Sequence, residues 1–140
     1  MTFDEWEATV PETIRRDVIW RVQAFRLASF LSVCVERDTR TIAGDPRFVP
    51  IAAQLCRAAG SVAANVAEGY PRQSARDRVR YYEYALGSAA EVRVWYLTSQ
   101  ASLDPEVLDG RIALLRSITR LLLTMIRSAR NPASSRTRPH

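Results

Sequence analysis

Residues 54–77, QLCRAAGSVAANVAEGYPRQSARD, constrain the fold more than any other stretch of this chain. At about 100° per residue, Leu55, Ala59, Val62, Ala63 and Val66 fall on one helical face. Gln54, Arg57, Ser61, Asn65 and Glu68 form a narrow polar line opposite. Ala53, Gly60 and Ala64 add a third strip of very small side chains. A simple surface helix needs only the apolar face. The small strip predicts a close crossing with a following helix, against Gly87, Ser88 or Ala89, which a leucine at position 60 would overpack. The helix is expected to stop at Gly69 as its C-terminal cap and to restart after Ser74, which with Asp77 makes an N-terminal signal.

Three other helices fit the pattern. Thr9 and Glu12 predict a capping box for a first helix that starts at about residue 10 or 13 and reaches residue 37. Residues 38–45 read as a polar loop. The second helix begins between Pro46 and Pro50, since both prolines suit a first turn. The third is expected from about residue 75 to 100 or 101. The fourth starts at Asp104-Pro105 and ends near Ala129. Strand signals and internal repeats are absent from the pattern. At 140 residues the chain suits one domain, predicted over 1–130, with 131–140 a disordered basic tail.

The third helix carries two apolar faces. Tyr81, Ala85, Ser88, Val92, Trp95 and Tyr96 lie on one. Val79, Leu86, Ala90 and Leu97 lie on the other. A bundle helix in a monomer needs one such face; the second means either a deeply buried helix or a subunit interface, and since every bundle helix should keep a wet side the interface is favoured. The fourth helix has an inner stripe of Leu114, Leu115, Ile118, Leu121, Leu122, Met125 and Ile126, with Arg111 inward near its start. Arg116, Arg120, Arg127 and Arg130 gather on its outer side.

The polar line has three readings: a solvated face, a hydrogen-bond network between helices or subunits, and a ligand site. Close backbone approach beside Gly60 and Ala64 favours the network. If buried, Arg57 needs a carboxylate, for which Glu91 is better placed than Glu68.

These residues also carry a resemblance. Gln54, Arg57-Ala58-Ala59, Ser61, Asn65, Glu68-Gly69, Arg72, Ser74, Asp77, Gly87-Ser88 and Glu91 resemble the signature of the proteins encoded in intervening sequences of bacterial 23S rRNA genes. The likeness covers roughly residues 15–128. Val62 and Val66 stand where isoleucine is usual, and the tail past Arg130 has no counterpart. The resemblance implies an all-α, antiparallel up-down four-helix bundle that assembles as a closed homo-oligomer, often a pentamer. A more distant likeness, of the same architecture, is to the accessory protein of diversity-generating retroelements, a basic pentamer working beside a reverse transcriptase.

Charge bears on function. All 20 basic residues are arginine, against 15 acids, for a net charge of +5. Residues 1–13 hold four acids and no base, whereas residues 111–140 hold seven arginines and no acid. That polarity suits either a polyanion surface or contact between an acidic end and a neighbouring subunit. The outer arginines of the fourth helix read either as a solvated face that complements the helix dipole or as a phosphate-tracking stripe. Residues 70–84 interleave Arg72, Arg76, Arg78 and Arg80 with Tyr70, Tyr81, Tyr82 and Tyr84, types that contact phosphate and stack on bases.

Catalysis has little support. The single histidine is His140, at the end of the chain, so Ser–His and Cys–His nucleophile systems lack a base. A di-iron bundle site needs Glu-x-x-His pairs, which are missing, and Glu68, Glu83 and Glu91 are too few for a cage without them. No cofactor, metal or enzymatic activity is expected. Cys34 and Cys56 read as buried small hydrophobes. No apolar run approaches the roughly 18 residues of a membrane span, and the acidic start is unlike a signal peptide, so a cytoplasmic location is expected. The leading functional expectation is RNA or DNA binding through a basic surface repeated by symmetry, with Arg116, Arg120, Arg127, Arg72, Arg76 and Arg80 as contacts. The rival is a protein-interaction scaffold, for instance an accessory subunit of a polymerase or reverse transcriptase.

Overall fold

A computed structural model describes residues 1–131. It is all-helical among those residues. Two short helices, α1 (Phe3–Glu7) and α2 (Glu12–Arg15), precede four long ones: α3 (Gln23–Ile42), α4 (Val49–Gly69), α5 (Ala75–Thr98) and α6 (Pro105–Arg130). Each long helix packs on the next, and α3 also meets α6. One core forms between them. Leu31, Val35 and Ile42 of α3 meet Leu55, Val62 and Val66 of α4, Ala85, Val92 and Tyr96 of α5, and Leu115, Ile118 and Leu122 of α6. The tail past Asn131, expected to be disordered, lies outside the described residues.

The first long helix starts later and ends later than its sequence pattern predicts. The Thr9–Glu12 capping box does not form; the Thr9 hydroxyl donates to the Trp6 carbonyl at 2.7 Å. The box lies earlier instead, with Thr2 and Glu5 bonding each other's backbone N–H. Between α2 and α3 runs a 3₁₀ turn, Val18–Arg21, capped by Asp17. Aromatic contacts decide this segment: Phe3, Trp6, Trp20, Phe25 and Phe30 form a chain of ring contacts with centroids 5.5–6.3 Å apart. A continuous helix from residue 10 would carry Trp6 and Trp20 apart and forfeit that apolar burial.

At its other end α3 continues to Ile42 and takes up residues 38–42 of the expected 38–45 loop. Asp38, Thr39 and Ile42 turn inward, so the polar Asp38 and Thr39 belong to the interior rather than to a turn. Asp45 then caps the 3₁₀ turn Pro46–Phe48 through the Arg47 N–H, and this turn leads directly into α4. Ser74 caps α5 through the Asp77 N–H, as its sequence position predicts.

Two glycines act otherwise than expected. Gly69 is not a left-handed cap; no described glycine has positive φ. It is the last residue of α4, and a Cβ there would sit 2.6 Å from Tyr81 Cβ and 3.2 Å from Tyr82 Cε1. Gly69→Ala is therefore expected to destabilise the protein by about 1–3 kcal/mol, since Tyr81 Cβ cannot retreat without moving α5. Urea unfolding reads this directly; an unchanged midpoint would mean that α4 and α5 separate freely here. Gly60, by contrast, has open space where its Cβ would be, as does Gly87. Ala53, Gly60 and Ala64 face outward, so the expected crossing through them is corrected. The α4–α5 contact runs instead through Ala59, Val62, Ala85 and Ala89 in the core, bridged at its edge by Ser61 and Ser88. The small strip sits one helical position further out than a crossing needs.

Candidate nucleic-acid interface

The α6 face opposite the core follows from the 3.6-residue period. Leu115, Ile118, Leu122 and Ile126 are buried, with Leu114, Leu121 and Met125 half-buried beside them. Arg116, Arg120 and Arg127 are exposed on the other side. None of these three has an ion-pair partner among the described residues. Elsewhere many surface arginines are neutralised locally: Arg16 by Glu12, Arg40 by Glu36, Arg47 by Asp45 and Arg130 by Glu83. The Arg47 pair holds the Asp45 carboxyl below its ordinary range, chiefly through the side-chain hydrogen bond. The α6 stripe has no acid of its own helix beside it, because residues 111–131 contain none.

Arg72, Arg76 and Arg80 are exposed as well, around the α4–α5 link. The Arg72 and Arg80 guanidiniums stack on the Tyr81 ring at 5.1 and 5.3 Å from its centroid. Arg72 also donates to the Glu68 carbonyl, and Arg78 donates to the carbonyls of Arg72 and Gln73 at 2.7 and 2.8 Å. Arg72 and Arg78 thus hold the link closed, while Arg76 has no ion pair among the described residues.

The polar line is divided. Gln54, Ser61 and Asn65 are half-buried; Arg57, Glu68 and Glu91 are exposed. Asn65 Nδ2 donates to the Ser61 carbonyl and hydroxyl at 2.8 and 2.9 Å, and the Ser88 hydroxyl reaches Ser61 Oγ at 2.9 Å. Glu91 accepts from Trp95 Nε1 at 3.1 Å rather than pairing with Arg57. Arg57 stays solvated and needs no carboxylate. Of the two cysteines, Cys34 is buried, and burial pushes its thiol above the usual range. Cys56 is exposed, contrary to expectation, with its thiol 3.6 Å from the Thr39 hydroxyl of α3.

One buried constellation was missed from the sequence. Asp38 of α3 accepts from the Tyr96 hydroxyl of α5 at 2.6 Å and from Arg111 of α6 through Nε and Nη2 at 2.7 and 3.1 Å. Burial, then the Asp38 hydrogen bond, raises Tyr96 far above its ordinary pKa. Its own hydrogen bonding to Asp38 raises Arg111. Both carboxylate oxygens are engaged, the phenol stays neutral and the guanidinium stays charged. The group can latch three helices but has no free base. A cleft of about 630 Å³ opens beside it, bordered by Arg37, Arg40, Leu103 and Val107. The available signal was Arg111, inward on an apolar stripe and in need of an acid; Asp38 was hidden by its assignment to a loop.

Among the described residues no three His, Cys, Asp or Glu side chains gather as metal ligands, and no helix is long and apolar enough to cross a membrane.

The arrangement is that of an all-helical, single-core protein with a basic outer helix. The sequence model of the 23S rRNA-intervening sequence proteins matches residues 24–123, and the chain belongs to that family. No curated protein is significantly similar to it. A crystal structure of a protein of unknown function from the S23 ribosomal protein family of Bacteroides thetaiotaomicron has a similar fold. The TM-score is 0.67 at 20% identity, over 74% of this chain and 97% of that one.

Proposed function

We propose that this protein is a non-enzymatic nucleic-acid-binding protein, an antiparallel up-down four-helix bundle acting as a closed homo-oligomer in the cytoplasm and holding RNA or DNA on its basic surface. The observation that carries the binding reading is the exposed, uncompensated stripe Arg116, Arg120 and Arg127 on α6. Phosphates supply the missing counter-charge, and release of their condensed ions drives association. Five copies, the number implied by the family resemblance, would carry about +25 from a chain of +5.

Self-association is supported by surface that a lone bundle leaves wet. Tyr84, Val94 and Leu97 of α5 are 54%, 52% and 62% exposed, and Ala53, Gly60 and Ala64 of α4 are exposed as well. Small residues there let a second backbone approach closely. Gly60→Leu, whose Cβ would meet nothing within 4 Å inside the chain, is expected to leave the folded core unchanged and to shift sedimentation toward the 15.8 kDa monomer. A wild-type monomer at micromolar concentration would remove the oligomer.

The binding test is titration of labelled RNA and DNA at several salt concentrations. Affinity that falls steeply with salt is expected. Absence of binding at low salt would turn the reading to the scaffold alternative, with a protein partner such as a polymerase on the apolar α5 surface.

A further inference from the structure

The start of α5 and the end of α6 border a cleft of about 620 Å³, lined by Ala75, Arg76, Val79, Arg80, Glu83, Ala129 and Arg130. That volume lies in the range of small-ligand sites, roughly 300–1,000 Å³. Its floor is apolar, from Val79 and Ala129, and its rim holds three exposed arginines. Two of them are held in place. Arg80 lies over Tyr81 with Asp77 3.7 Å away, and Arg130 is bound to Glu83 at 2.7 Å. Arg76 has no ion pair among the described residues. Glu83 offsets the Arg130 charge and Asp77 partly offsets that of Arg80, which leaves Arg76 as the uncompensated cation at the rim, and the α5 N-terminus adds partial positive charge nearby.

We infer that this cleft seats one unpaired nucleotide of a single-stranded RNA or DNA, its phosphate on Arg76 and Arg80 and its base or sugar on Val79 and Ala129. The inference rests on the nucleic-acid reading above and narrows it to single strands. A duplex presents phosphates on its outside with its bases stacked inward, so it can use the exposed arginines of α6 but leaves the apolar floor of this cleft wet. A single strand turns a base or sugar into the cleft and covers that floor. Arg80, already held over Tyr81, binds at lower entropic cost than a free arginine. The rest of the strand has a track: Arg130 continues the row Arg116, Arg120 and Arg127 along one side of α6. Arg116 to Arg130 spans about 21 Å of helix, enough for a few nucleotides of an extended single strand.

The test uses the full chain, labelled oligo-uridylate and oligo-thymidylate of about 12 nucleotides, and a duplex of equal length at the same salt. Both single strands are expected to bind about tenfold more tightly than the duplex. Arg76→Gln with Arg80→Gln is expected to remove that preference while duplex binding, carried by α6, changes about twofold or less. The two arginines are exposed, and an unchanged melting curve confirms the fold of the variant. Equal wild-type affinity for strand and duplex overturns the inference, and so does an equal loss for both in the variant; either leaves nucleic-acid binding itself standing. If the wild type binds neither strand nor duplex at low salt, both readings fall.

Discussion

Asp38→Ala is expected to cost the protein about 3–5 kcal/mol of stability, because it strands the Arg111 guanidinium in the interior without its carboxylate. Asp38 is 4% exposed, and its ion pair with Arg111 has side-chain exposures of 5% and 17%. The same change leaves the buried Tyr96 hydroxyl without its acceptor. For a chain of this size the melting temperature should drop by on the order of 10 °C. A double variant separates charge from packing. Asp38→Leu with Arg111→Met removes both charges and is expected to recover much of the loss, as paired replacement of buried ions often does. Equal melting of wild type and Asp38→Ala would show that water reaches Arg111 and that the latch contributes nothing.

Replacing Arg116, Arg120 and Arg127 together with glutamine should spare the fold and weaken nucleic-acid binding. The three side chains are exposed opposite the leucine stripe, and the core beneath them does not change. Three fewer phosphate contacts lower the slope of log affinity against log salt by about 2 to 3. At low salt the affinity should fall on the order of tenfold or more. Slope and affinity are independent readouts: a fall in affinity at constant slope would signal a damaged fold rather than lost counterion release. A triple variant equal to wild type in both would move the surface elsewhere, and Arg72, Arg76 and Arg80 would be next to replace.

These two sites differ in how far they could be read from the residues. The α6 arginine stripe was legible, because exposure on a long amphipathic helix follows from its period. The Asp38–Tyr96–Arg111 latch was not. Its members stand 58 and 73 positions apart from Asp38, on three helices, and periodicity reports only the face of one helix at a time. Arg111 was correctly set on the inner side, yet that alone does not choose among acids.

The glycines teach the same point. Gly60 and Gly69 both mark positions where a side chain is dispensable or unwelcome, and propensity does not distinguish these. In the folded chain Gly69 is squeezed by Tyr81 and Tyr82, and Gly60 faces open space.

By itself the sequence determined the helical class, the four long helices in order, the cap at Ser74, and the inward leucines and outward arginines of α6. All of these rest on interactions within about four residues, or on a repeating pattern that water imposes on one helix. The tertiary structure alone decided where α3 begins and ends, which small residues touch, and which acid meets Arg111. Those outcomes depend on how helices rotate and slide against one another. Burial of Phe3, Trp6, Trp20 and Phe30 breaks the N-terminal helix, and satisfaction of one buried charge draws Asp38 out of the expected loop and into the core.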